Sequence, residues 1–275
     1  MGTPPEPSPA ALRRSQRSSR RLPRRAAVGR RSFTATLRAL EELVSTGAQV
    51  AVHVVDLDSG QPALVGDDHV TMPIAGLGVV PLLIEVAAGF EDGTLDPLEL
   101  VDRSAIDEVT TSGLWRHLRA PALPLVDVAV LAATAGDPIA VNALLQRVGH
   151  DRVRARIEDL GLEQTALLDR YRDKRGPDDA PQVAVGTARE IAGLFSALVN
   201  STVVDAAVSA QVSEWLSLNH DLSLVAASTG LDPFAHDHDP HGLLFVNKTG
   251  RDRGVRVEAG VLAGPRAGVA YALIV

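Results

Sequence analysis

Lys248-Thr249-Gly250, with Arg251 directly after it, places an ammonium, a hydroxyl and a guanidinium within four residues of an apolar run. Such groups hold small anions through charge-assisted hydrogen bonds. The competing expectation is a strand end whose lysine is solvated or paired with an acid such as Asp137. A second concentration is His236-Asp237-His238-Asp239-Pro240-His241. Imidazole and carboxylate ligands suit zinc or nickel, which makes His236, His238 and His241 the candidate metal ligands. A contiguous His/Asp/Pro cluster between elements reads first as a solvated loop, so the expectation is no metal and no cofactor. Ser112, Ser228 and Thr229 carry hydroxyls, but no motif sets a histidine or lysine beside them, so they are expected as caps and turns rather than nucleophiles.

These residues need elements to position them. Phe33 to Val44 has apolar residues at helical spacing, and Ala48 to Leu57 and Pro62 to Val65 read as a strand hairpin about Asp58-Ser59-Gly60. Val79 to Ala88 is an apolar helix with a difficult start, because Gly76, Gly78 and Pro81 fall within six residues. Helices are expected from Leu123 to Thr134, Ile139 to Val148 and Asp151 to Leu160. Asp137-Pro138 offers an N-cap carboxylate and a proline at the first helical position. Thr187-Ala188-Arg189-Glu190 is a capping box opening a helix to Val199, and Val204 to Leu218 is the last helical stretch. Leu243 to Thr249, Val255 to Leu262 and Val269 to Val275 read as three strands.

Strands at both ends around an all-helical middle predict an α+β fold: one five-stranded antiparallel sheet with an inserted helical subdomain. The expected division is a sheet subdomain of residues 32–72 and 205–275 and a helical subdomain of residues 73–204. With 275 residues the chain can bury a large core, and with 3% aromatic residues that core must be built from Ala, Val and Leu. The absence of cysteine excludes disulfides, thiolate nucleophiles and Cys-ligated zinc. No apolar run approaches the roughly 18 residues of a membrane span.

Charge is divided unevenly. Residues 1–31 hold nine Arg and one acid, a net of +8, which leaves −15 for residues 32–275. The Arg-rich segment is expected as a disordered tail able to contact a polyanion or an acidic partner. Arg20-Arg21 is not followed by an apolar stretch, so no usable signal peptide is expected; that points to the cytoplasm, or to secretion if the start of translation is misassigned. Oligomeric state has no signature.

Thr71-Met72-Pro73-Ile74-Ala75-Gly76-Leu77-Gly78-Val79 resembles the lead-in to Ser-x-x-Lys of the class A β-lactamase and penicillin-binding-protein superfamily. Thr134-Ala135-Gly136-Asp137-Pro138, with Asn142 beyond it, resembles the stretch carrying Ser-Asp-Asn. Leu168-Asp169-Arg170-Tyr171 resembles the start of the omega loop, and Lys248-Thr249-Gly250 the Lys-Thr-Gly strand. The resemblance runs from about Phe33 to Val275, and it implies a hydrolase fold whose chemistry has been removed. Gly76 stands for the nucleophile, Val79 for the lysine, Gly136 and Pro138 for the serine and asparagine of Ser-Asp-Asn, and Arg172 for the glutamate. Gly176 stands for the asparagine of the omega loop. The expected protein is catalytically inactive and retains a cleft in which Lys248, Thr249, Gly250, Arg251 and Asp137 receive a small anionic ligand or a partner. Arg170, Arg172, Lys174 and Arg175 are expected as a solvated basic face favouring an anionic guest. The alternatives are a hydrolase of the superfamily with altered catalytic residues, and a module tethered to a polyanion by its basic tail. The resemblance also implies a C-terminal helix after the last strand, and the chain stops at Val275.

Overall fold

The protein is described by a computed structural model over residues 33–236 and 242–275. The Arg-rich segment and His238 and His241 lie outside the described residues. Among the described residues there are seven α-helices: α1 (Thr34–Ser45), α2 (Val79–Glu91), α3 (Leu125–Thr134), α4 (Pro138–Val148), α5 (His150–Asp159), α6 (Ala188–Val199) and α7 (Ala206–Ser217). The strands are β1 (Ala51–Asp56), β2 (Pro62–Gly66), β3 (Met72–Pro73), β4 (Leu100–Asp102) and β5 (Ala122–Pro124), then β6 (Ala166–Leu167), β7 (Ala184–Gly186), β8 (Leu244–Asp252), β9 (Val255–Ala263) and β10 (Gly268–Ile274).

Both chain ends build the main sheet, in the order β2-β1-β10-β9-β8, and its pairings are antiparallel. Alternation along the strands gives it two faces. On one, Val246, Ala259, Ala270 and Ala272 are fully buried against the helices. Small side chains there let α6 lie directly on β1, β9 and β10, although α6 belongs to the stretch expected as the separate helical subdomain. The other face carries Phe245, Asn247, Glu258 and Tyr271.

Helix α2 is the axis of the helical layer. Every residue from Val79 to Gly89 is buried, and α3, α4, α5 and α7 pack around it. The difficulty foreseen at its start is resolved by a 3-10 turn over Ala75–Gly78. The α-helix proper begins at Val79, so Pro81 falls in its first turn, where a backbone N–H has no intrahelical acceptor to lose. Glu85, 3% exposed on this helix, is neutralised by Arg152 and Arg156 of α5 at 2.7–2.8 Å.

Two local expectations change in detail. The Thr187 hydroxyl accepts from the Glu190 N–H at 3.2 Å, as a capping box requires. The Glu190 carboxylate does not reach back; it accepts from Gln164 N and Thr165 Oγ1 instead. The stretch from Leu123 is split, with Ala122–Pro124 pairing with β4 before α3 begins at Leu125.

Candidate functional site

The 3-10 turn carrying Gly76 meets the end of β8, which carries Lys248, Thr249 and Gly250. Ala75 has φ +43, a left-handed backbone that non-glycine residues seldom adopt, and strain of this sort gathers at functional turns. The strained turn displays a residue that has no side chain. Nor is there room for one. A Cβ built on Gly76 would lie 2.6 Å from the Thr249 carbonyl oxygen, and one on Gly250 would lie 2.5 Å from the Gly76 nitrogen. Two glycines facing each other let backbone approach backbone between this turn and β8.

Val79 is fully buried in the apolar core, three residues further on. Gly136 takes φ +58 between α3 and α4, and a Cβ there would be 3.4 Å from Lys248 Nζ. The chain thus brings Gly76, Gly136 and Lys248 to one place and supplies a single functional group among them.

Lys248 is 2% exposed. Its hydrogen-bond acceptor is its neighbour's carbonyl, Thr249 O, at 3.3 Å, and no described carboxylate forms an ion pair with it. Burial, opposed by the field of Asp221, brings its pKa down from 10.5 to about 8. The structure thus fits neither a solvated lysine nor one paired with Asp137. Asp137 is fully buried and spent on the backbone. One oxygen caps α4 through Ile139 N and Ala140 N at 3.0 Å, and the other accepts from Leu114 N and Trp115 N at 2.6 and 2.7 Å. A carboxylate holding four N–H groups has structural work to do and no free lone pair facing Lys248.

Arg251 is exposed and bonded to Asp221 at 3.2 and 3.4 Å and to Ser223. Burial alone raises the Asp221 carboxyl, but bonds from Ser223, Arg251 and Thr249 outweigh it and hold its pKa at about 2. Asp221 was not foreseen as a site residue. It is kept in place by a buried network: Glu258 accepts from Tyr271 Oη at 2.6 Å, Asn247 Nδ2 at 2.9 Å and Val225 N at 2.6 Å, and Asn219 Nδ2 donates to Asn247 Oδ1 at 2.8 Å.

The loop from Asp169 is secured rather than free. Asn142 clamps its backbone, donating to Tyr171 O at 2.9 Å and accepting from Tyr171 N at 2.8 Å. Arg172 bonds Asp169 at 3.0 and 3.2 Å and lies 3.3 Å from Asp179, Arg175 bonds Asp169 at 2.7 Å, and Arg170 pairs with Asp107. The expected basic face is therefore largely cancelled by acids of the fold, because the loop folds back on Asp169 and Asp179. Gly176 donates its N–H to Asp179 at 2.7 Å. Asp173 ties the loop to its neighbour, accepting from the N–H and hydroxyl of Thr110 and of Thr111; the Thr110 hydroxyl bond contributes most to holding its pKa near 2. Asn142→Ala removes both clamping bonds and is expected to cost about 1–2 kcal/mol. Limited proteolysis should show cleavage between residues 169 and 180 rising well above the wild-type rate, while the rest of the chain stays protected.

His236 is 4% exposed, its Nδ1 lies 3.1 Å from Asp232 O, and its ring sits edge-on to Phe245 at 6.0 Å. It is packed inward, and no group of three potential metal-binding side chains occurs among the described residues. Ser228 and Thr229 bond the carbonyls of Val225 and Ala226 at 2.9 and 2.6 Å, as turn residues do. Ser112 is exposed.

An antiparallel sheet made by both ends of the chain, backed by a bundle around a buried α2 and edged by a Lys-Thr-Gly strand, is a β-lactamase-like α+β fold. The chain matches the Beta-lactamase enzyme family over residues 32–275, and it belongs to that family. It is similar to a β-lactamase from Sphaerobacter thermophilus DSM 20745 at 21% identity and a TM-score of 0.79, covering 88% of each chain. It is similar also to the penicillin-binding protein PBP-A (20%, TM-score 0.70, 88% and 87% covered) and to a β-lactamase from Xanthomonas campestris pv. campestris (18%, TM-score 0.69, 87% and 88% covered). No curated protein matches it. No described helix is long and apolar enough to cross a membrane.

Proposed function

We propose that this chain keeps the β-lactamase-like fold without acyl-enzyme chemistry, and uses its buried amine at Lys248 to receive a small anionic ligand or an acidic group of a partner. The observation that carries the first half is the 2.6 Å approach of Thr249 O to the position a Gly76 Cβ would occupy. Position 76 carries no nucleophile, and the end of β8 occupies the space a side chain there would need. No single group elsewhere in the cluster replaces the missing serine and its base, and losses of such groups cost many powers of ten in rate. The second half rests on Lys248, an ammonium with three donors and one distant carbonyl acceptor. Purified protein is expected to leave a chromogenic cephalosporin intact at micromolar enzyme over hours. Inorganic phosphate or acetate is expected to raise its thermal midpoint, and that rise should vanish in Lys248→Ala. Cephalosporin turnover would refute the first half, and an unchanged midpoint the second.

A hydrolase with altered residues is the second reading, favoured by the lowered proton affinity of Lys248, since an amine with a pKa of about 8 is partly available as a base near neutrality. A panel of esters and amides tests it. Activity abolished by Lys248→Ala would support this reading. Activity indifferent to Lys248→Ala and His238→Ala, with no zinc or nickel by elemental analysis, would end it.

A further inference from the structure

The end of β8 carries two cations, Lys248 and Arg251, and the fold sets one carboxylate, Asp221, against them. Arg251 engages it as a fork, Nε to Oδ2 at 3.2 Å and Nη2 to Oδ1 at 3.4 Å. Ser223 donates to Oδ1 through its N–H at 3.2 Å and through its hydroxyl, and the Thr249 hydroxyl bonds the carboxylate too. Lys248 makes no ion pair with Asp221 but lies within its field. The polar groups beside the buried amine are thus already turned toward an acid of the protein itself.

Asp221 is not a surface acid free to swing away. Its backbone carbonyl accepts from Asn219 Nδ2 and Asn247 Nδ2, each at 3.4 Å, and both asparagines are buried. Asn247 is anchored in turn on the buried Glu258 at 2.9 Å. Groups beneath the sheet therefore place this negative charge, and no rearrangement of the surface is needed to keep it beside Lys248.

A fixed charge limits what the neighbouring amine can receive. Lys248 and Arg251 alone would present two positive charges, and Asp221 brings the sum to one. A singly charged guest matches that sum. A second negative charge on the guest meets Asp221 with no further cation from this group to offset it, which costs about fivefold in affinity even where water screens the repulsion.

On the reading of Lys248 as an anion-receiving amine, on which this step rests, we infer that Asp221 is the specificity-determining residue of the site: it admits a monoanion, such as a single carboxylate, and turns away dianions. Arg251, held by Asp221, is withdrawn from the second charge that it would otherwise bind.

The test titrates the full chain with formate and with sulfate at pH 6.0 and matched ionic strength, reading the thermal midpoint. Sulfate is doubly and formate singly charged there, and the pH lies well below the Lys248 pKa of about 8. The response of Lys248→Ala is subtracted, since sulfate also stabilises proteins by exclusion from their surface. The ratio of the two affinities is the readout, because any loss of ammonium charge weakens both anions alike. The wild type is expected to prefer formate several-fold. Asp221→Asn, which keeps the shape and removes the charge, should move the ratio about fivefold toward sulfate. Asp221→Glu should keep the wild-type preference. Arg251→Gln, at an exposed position, removes a cation and should move the ratio further toward formate, which gives a reading even if Asp221→Asn does not fold.

A ratio unmoved in Asp221→Asn and in Arg251→Gln, with Lys248-dependent binding intact, overturns the inference and leaves the anion-receiving reading standing. A wild type that prefers sulfate overturns it equally. So does a loss of preference in Asp221→Glu matching that in Asp221→Asn, since Asp221 would then act by shape and not by charge. If neither anion gives a Lys248-dependent shift in any variant, the anion-receiving reading itself fails and this inference falls with it.

Discussion

Gly76→Ser is expected to leave the protein unable to turn over a chromogenic cephalosporin and to destabilise it by about 2–3 kcal/mol. Supplying a hydroxyl does not by itself build a reactive site, because the new Cβ would sit 2.6 Å from Thr249 O and 3.2 Å from Gly250 Cα. Both obstacles are backbone atoms of a strand hydrogen-bonded along its length to β9, so they cannot swing aside as a flexible side chain would. Val79 gives a serine at position 76 no base in any case, being an alkyl group in the core. Urea unfolding measures the stability change, with an unchanged m-value expected. A variant that folds with undiminished stability and hydrolyses the cephalosporin would show that the strand yields readily and that a single residue separates this chain from an enzyme.

Lys248→Met is expected to stabilise the protein at pH 7 by roughly 3 kcal/mol and to abolish a gain in stability at alkaline pH. The wild-type amine ionises near pH 8 in the folded protein and near 10.5 when exposed. Between those values the unfolded chain binds more protons than the folded one, so stability rises with pH across the window. Below about pH 8 the full cost of burying an unpaired ammonium is present. Methionine has a similar length and no charge to desolvate. Chemical unfolding at pH 7.5, 8.5 and 9.5 follows the effect below the ordinary tyrosine range. The wild type should gain across the series and Lys248→Met should stay flat. A wild type that is equally flat would mean that Lys248 keeps its ordinary proton affinity, and the altered-hydrolase reading, which needs a partly neutral amine near pH 7, would lose its basis.

Much of the fold was legible in the sequence because it is written in local pattern. The antiparallel sheet from both chain ends follows from the period-two runs near the termini, and α4 from the Asp137-Pro138 start. The motif resemblance drew attention to positions 76, 79, 136 and 172. The surroundings of those positions were not legible. The closure of Gly76 against β8 joins residues more than 170 apart, and no local signal announces a close backbone approach except paired glycines at Gly76 and Gly250. Asp137 was read correctly as an N-cap, but its second oxygen, bound to Leu114 N and Trp115 N, depends on a distant loop. Asp221, which governs both Lys248 and Arg251, lies in a polar stretch resembling any surface turn. Its importance comes from the Glu258–Asn247–Asn219 network beneath it. The basic loop misled because composition counts arginines without seeing that Asp107, Asp169 and Asp179 fold onto them.

The proposal that this chain performs no acyl-enzyme chemistry is tested most directly by intact-mass spectrometry of the full chain after prolonged incubation with excess benzylpenicillin. The proposal predicts the mass of the unmodified protein alone. A species heavier by one penicilloyl group, lost on replacing a single hydroxyl-bearing residue, would contradict it.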